Sequence, residues 1–152
     1  MRLFFFGTLL DADVRRVVFG RTDSLATGEP ATLRGFCRVH VRGRSYPMLM
    51  RRPAGQVAGL LIRSVDRQAL RRIIDYEGPE YHLTPVTVMP RSGTPTTAAT
   101  FLCRPGIMAC RRPWRLADWQ KRHKAEFIRR ARTRRWIYRE ATSVSRSRTW
   151  QD

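Results

Sequence analysis

The sequence predicts an α+β domain: a small mixed, mainly antiparallel β-barrel flanked by helices, with a further helix added at the C-terminus. Three observations lead there. Apolar runs and helical patterns follow one another as strand, helix, several strands, helix, strand pair, long helix. Most of the strand runs are separated by about two to six residues, too few for a crossover helix, so neighbours pair antiparallel. Four tryptophans and 42% hydrophobic residues in 152 are enough for one sizeable core.

Each element has its own signal. RLFFFGTL, residues 2–9, is an apolar run closed by Gly7, which reads as a buried strand entering a tight loop. In DADVRRVVFGR, Asp11 or Asp13 can cap a helix with Val14, Val17 and Val18 on one face and Gly20 as its stop. Extended segments follow at 31–43, 46–52 and 56–64, bounded by Gly, Pro or Ser. SVDRQALRRIIDYEG reads as a helix capped by Ser64 or Asp66, with Leu70, Ile73 and Ile74 as its apolar stripe and Gly78-Pro79 as its end.

LTPVTVMP and TAATFLC then form a strand pair around the turn RSGTP. From Trp114 to about Tyr138 the pattern is helical, with Leu116, Trp119, Phe127, Ile128 and Ala131 inward and Trp114 and Trp119 as anchors. The expected organisation is a barrel domain at 1–110 and an Arg-rich helical extension at 111–152, packed on the same domain. The tail SVSRSRTWQD reads as frayed.

Composition narrows the function. No apolar run approaches the ~20 residues of a bilayer span. The opening apolar stretch stops at Asp11 without a small-residue cleavage site, so it reads as a strand and not a secretory signal. Three cysteines without a CxxC pair, and three scattered histidines, offer no metal-ligand spacing. A cytoplasmic setting, with Cys37, Cys103 and Cys110 as small core residues, and no metal or cofactor is the expectation. The formal charge of +18 is almost all arginine, and +10 of it falls in residues 111–152. Such a field attracts phosphate polymers whether or not that is the function.

Two stretches carry chemistry. In FFFGTLL, a strand ending in Gly-Thr-Leu can leave successive N–H groups turned into one concavity, suited to a carboxylate or a developing oxyanion. DYEGPEY gathers Asp75, Glu77 and Glu80, a quarter of the chain's twelve acids, at the end of an apolar helix. Ile73 and Ile74 lie four and three residues before Glu77, which puts its side chain on or beside the inner face. A carboxyl beside apolar neighbours is raised in pKa and becomes a base for neutral pH. Asp75 points elsewhere and Glu80 is expected to meet solvent or an arginine. Read alone, each stretch is as well explained by a turn and a surface acid.

In order, the strand ending in Phe6-Gly7-Thr8-Leu9, Tyr46-Pro47, GQVAGLLIRS, DYEGPEY and the Val86-Thr87-Val88 strand resemble the γ-glutamylcyclotransferase-like superfamily, in particular its avirulence-induced-gene-like small proteins. The resemblance runs from about Arg2 to Cys103. It implies a small barrel with one cavity at its end, and an enzyme that cyclises a γ-glutamyl amine or peptide to 5-oxoproline and free amine. The catalytic glutamate of the family matches Glu77, its backbone-donor loop matches Gly7, Thr8 and Leu9, and a pocket aromatic matches Tyr81. Tyr46 borders the same cavity, and Phe6 stands where the family usually has Tyr, so a hydroxyl is missing. No metal or organic cofactor is implied.

Two other readings stay open on the residues. One is a binding module of the same fold without turnover, which the missing hydroxyl at Phe6 favours. The other is a nucleic-acid-associated protein using KRHKAEFIRRARTRRWIYRE, where Trp136 and Tyr138 interleave the basic residues. The partner expected is a small γ-glutamyl compound, with no membrane, nucleic acid only through non-specific charge, and a monomer or weak dimer as the working form. His82 is expected at the pocket rim or in solvent, and Arg34 and Arg38 only as braces of the sheet.

Overall fold

A strand that is apolar on both faces must be covered on both, and the run from Leu3 to Phe6 is such a strand. The computed structural model describes residues 1–19 and 28–133. β1 (Leu3–Phe5) passes through a 3₁₀ turn (Thr8–Leu10) into α1 (Ala12–Phe19). Then come β2 (Glu29–Val41), β3 (Pro47–Ile62), α2 (Arg67–Glu77), β4 (Tyr81–Pro90), β5 (Thr96–Cys103), β6 (Ala109–Pro113) and α3 (Leu116–Arg122). After a turn at His123, residues 124–133 are helical again.

β1 sits between β3, antiparallel with Leu3 opposite Ile62, and β5, parallel with Leu3 beside Ala99. β5 pairs antiparallel with β4 from Tyr81 opposite Cys103 to Val88 opposite Thr96. β4 pairs with β2, and β2 with β3, both antiparallel. The circuit therefore closes as a five-stranded mixed barrel, with β6 added on β2. This is the α+β architecture that the order of elements predicts.

Alternation along β1 splits the core. Phe4 and Phe6 pack with Ala31, Leu33, Leu61, Val88 and Ala98 inside the barrel. Leu3 and Phe5 pack with Phe19, Ile73, Trp114 and Trp119 between barrel and helices. The two tryptophans thus anchor the start of the C-terminal segment in the main core.

Several boundaries differ from the sequence reading. The segments at 46–52 and 56–64 are one strand. Pro53 and Gly55 fall in an excursion where β3 residues 52–55 face only Gly35 of β2, so a proline is accommodated without breaking the ladder. β6 was not expected, because its Arg-rich stretch shows no alternation. The helix expected from Trp114 begins at Leu116 and turns at His123. Gly20, Trp136, Tyr138 and the Ser/Arg tail lie outside the described residues. No helix among the described residues is long and apolar enough to cross a membrane.

Candidate active site

The loop after β1 is held by its carbonyl groups. Arg38 Nη1 donates to Phe6 O at 2.8 Å, and Arg15 Nη1 donates to Leu9 O and Leu10 O at 2.7 and 2.8 Å. Gly7 O and Thr8 O accept from the N–H groups of Leu10 and Asp11. The N–H groups of Gly7, Thr8 and Leu9 have no acceptor among the described residues. Every carbonyl of the loop is occupied and three successive donors are left over, which is a preorganised set for negative charge. A β-carbon on Gly7 would lie 3.1 Å from Pro47 Cγ, so a side chain here would have to push back the ring at the start of β3.

The acid comes from the far end of α2. Asp66 caps the helix start by accepting from Ala69 N at 2.7 Å, and Gly78 ends it with φ of 79°. The inner face carries Ala69 and Ile73; Ile74, placed there by the sequence reading, is 44% exposed. Glu77 follows Ile73 one turn on and is half-buried, whereas Asp75 is exposed. The Glu77 carboxyl has no hydrogen-bond or ion-pair partner among the described residues. Burial alone pushes it up to about 8 from an ordinary 4.5. In a chain with 30 Lys+Arg, an acid left without a cation is a placement that folding stability does not explain.

Contacts tie the acid to the loop. Tyr76 Oη and Thr8 Oγ1 are 2.5 Å apart. Tyr81 donates to Pro47 O at 2.8 Å, and Pro47 lies against Gly7. Tyr46 donates to Glu80 Oε2 at 2.7 Å, and its ring centre is 6.3 Å from that of Tyr81. Glu80, expected to meet solvent or an arginine, is partly exposed and accepts from a tyrosine. The Glu77 charge is felt by Tyr81, so Gly7, Thr8, Tyr46, Glu77 and Tyr81 belong to one neighbourhood. Phe6 and Leu9 flank it with backbone only, because their side chains are buried in the barrel and in the outer core.

The cluster is electrostatically one-sided. Burial first, and Glu80 second, push Tyr46 up to about 12. Burial likewise raises Tyr76 and Tyr81, with Glu77 adding to both, and pushes the Cys103 thiol up to about 11. All four are neutral near pH 7, so Glu77 is the group poised to exchange a proton there. His82 is half-buried on β4, and its Nδ1 is buried without a partner among the described residues. The three cysteines are half-buried and free, and no group of acids, histidines and cysteines among the described residues could hold a metal.

A family model described as "Gamma-glutamyl cyclotransferase, AIG2-like" matches residues 3–121. The chain belongs to this family. It is 28% identical over 131 residues to AIG2-like protein A of Arabidopsis thaliana, covering 83% of this chain and 76% of that one. An A. thaliana protein of known solution structure aligns with a TM-score of 0.60 at 27% identity, over 84% of this chain and 85% of its own. A solved γ-glutamyl cyclotransferase aligns with a TM-score of 0.54 at 14% identity, over 72% and 69%, a likeness of fold.

Three residues of this candidate site escaped the sequence reading. Tyr76 sits inside the quoted acid motif, yet only tertiary packing reveals that it bonds to Thr8. Arg15 and Arg38 hold the donor loop, and nothing separates them in sequence from the chain's other arginines. Arg38 also bridges Trp114 O and Ala58 O and stacks on the Trp114 ring, so it braces the loop as well as the sheet. Two surface concavities, of about 450 and 410 Å³, lie beside Arg2 and Arg63 and beside Asp13 and Lys124; neither includes Glu77.

Proposed function

We propose that this family member cyclises a γ-glutamyl amine or peptide to 5-oxoproline and free amine, with Glu77 as general acid and base. The observation that carries the reading is a desolvated, unpaired Glu77 carboxyl one residue from Tyr76, whose hydroxyl clasps the loop that bears three unoccupied backbone donors. The reaction needs no protein nucleophile. The substrate's α-amine gives up a proton to the Glu77 carboxylate and attacks the γ-carbonyl carbon, forming the ring C–N bond. The N–H groups of Gly7, Thr8 and Leu9 face the negative charge that gathers on the carbonyl oxygen or the substrate carboxylate. Glu77 returns the proton to the departing nitrogen as the original amide C–N bond breaks. Atoms balance without water, and the intramolecular attack draws much of its rate from orientation. Tyr46 and Tyr81 wall the substrate.

With a carboxyl near 8, roughly one molecule in ten holds the base form at pH 7, so kcat/KM is expected to climb toward pH 8. The test is Glu77→Gln, which keeps size and hydrogen-bonding shape. Release of 5-oxoproline from a panel of γ-glutamyl amines and peptides should fall about 10²–10⁴-fold. Undiminished release would remove Glu77 from the mechanism. Phe6 favours one second reading, a binding module of the same fold: its ring is packed inside the barrel and brings no hydroxyl to the loop. Ligand-induced stabilisation by γ-glutamyl compounds without product is the result that selects it.

A further inference from the structure

The family match ends at residue 121, yet the helical segment 124–133 lies against both ends of the donor loop. At one end is Tyr76, whose hydroxyl meets Thr8. The Phe127 ring stands edge-on to Tyr76, centres 5.9 Å apart, and is itself held by Trp119 at 5.5 Å. At the other end is Asp11, whose N–H closes the 3₁₀ turn on Thr8 O. Its carboxylate is buried, caps α1 through the N–H groups of Asp13 and Val14, and accepts from Gln120 at 2.7 Å. Lys124 Nζ reaches it at 2.9 Å and reaches Asp13 at 2.8 Å.

We propose that segment 124–133 is a positioning element of the Glu77 site, with Phe127 bracing the Tyr76–Thr8 clasp and Lys124 pinning Asp11 at the loop's exit. The proposal rests on the cyclotransferase reading for its chemistry but not for its geometry. Packing at two points on one side of the loop fixes where the three donors stand relative to the end of α2. The packing also bears on Glu77, because the Tyr76 hydroxyl that Phe127 braces lies close enough to feel the Glu77 charge. Burial pushes the Asp11 carboxyl up, but Lys124, Gln120 and the two backbone donors outweigh it and hold it below its ordinary value. The grip on the loop's exit is therefore ionised and intact at neutral pH. Segment residues that face solvent have no such part: among the described residues Arg130 pairs only with exposed Glu126.

The test follows the Glu77 carboxyl by carbon-13 NMR titration in the full chain, in parallel with 5-oxoproline release. The other titratable groups around it, Tyr76 on α2, Glu80 in the turn, Tyr81 on β4 and Cys103 on β5, are the background. Tyr76→Phe, which keeps the ring but breaks the clasp to Thr8, should lower kcat, and Phe127→Ala should admit water and lower the Glu77 midpoint by about one pH unit or more. Phe127→Tyr should restore it, and Arg130→Ala should leave it unchanged. If Phe127→Ala does not fold, Tyr76→Phe and Lys124→Met decide the matter. A Glu77 midpoint, a kcat and a pH–rate profile that stay fixed in these variants overturn the positioning role and leave the proposed function standing. A shifted midpoint in a protein that turns over no γ-glutamyl compound upholds the clasp and discards the activity.

Discussion

Arg38 donates to the carbonyl oxygen of Phe6 across 2.8 Å, joining the middle of β2 to the residue that opens the donor loop. The same guanidinium serves Trp114 O and Ala58 O, so one side chain ties the loop to β3 and to the approach to α3. Burial lowers its pKa without approaching the range where it would lose charge. Arg38→Met keeps the aliphatic stem and removes all three bonds. It is expected to cost about 1–3 kcal/mol for acceptors left unpaired in a partly buried place, and to weaken the stacking on Trp114. Urea unfolding measures the loss. A variant as stable as the parent would mean that the loop is held by Arg15 and its own turn.

Glu77 sets a pH dependence of stability whose sign follows from its raised carboxyl. The folded chain holds that proton up to about 8, the unfolded chain only to about 4.5. Between those values the folded state binds more protons, so stability falls as pH rises, by at most about 1.4 kcal/mol per pH unit. Below that window the lowered carboxyls of Asp11, Asp13 and Glu126 act the other way, their contribution being lost as pH falls. Glu77→Gln should flatten the slope between pH 5 and 8 and be the more stable protein at pH 8.5. Parallel curves for the two proteins in urea would show that the carboxyl is not desolvated.

The signals that were legible in sequence are those made by neighbours along the chain. Gly7 closing an apolar run, Asp66 and Gly78 bounding α2, and Glu77 one turn after Ile73 are all local patterns, and each stands where its pattern puts it. The barrel was legible because short links leave antiparallel pairing as the economical arrangement. What escaped depends on distant partners. An arginine that grips a loop looks like one that faces water. Tyr76 was hidden by the acid beside it. Ile74 shows the limit of periodicity: a stripe of two adjacent isoleucines does not say which one the barrel covers.

Gly7 offers a test of steric need that is independent of charge. Its missing side chain leaves the loop in contact with Pro47, the residue whose carbonyl Tyr81 holds. In Gly7→Ala a new methyl group meets the proline ring at 3.1 Å, and one of the two must give. The expected cost is about 1–3 kcal/mol in stability. Displaced donors should also lower kcat on a γ-glutamyl substrate more than they raise KM, because they act on charge that develops during reaction. Unchanged stability with unchanged turnover would show that the loop moves without consequence.

The basic surface gives the last prediction. Arg42, Arg44, Arg111 and Arg112 are exposed around the β2–β3 turn and on β6, where Arg42 N bonds to Met108 O and Val41 pairs with Ala109. None of the four has an ion-pair partner among the described residues. Unpaired guanidinium groups along one sheet edge will collect phosphate oxygens from any polyanion, with an affinity governed by counterion release. An arbitrary DNA duplex should therefore bind at 50 mM salt and be lost by about 200 mM, with a linear log–log slope and no sequence preference. Replacing Arg42, Arg111 and Arg112 with serine should make that slope shallower and leave 5-oxoproline release unchanged; Arg44 is kept because its charge acts on Tyr46 of the Glu77 cluster. Binding that resists 0.5 M salt, or that discriminates between sequences, would instead demand base contacts that a flat arginine edge does not supply.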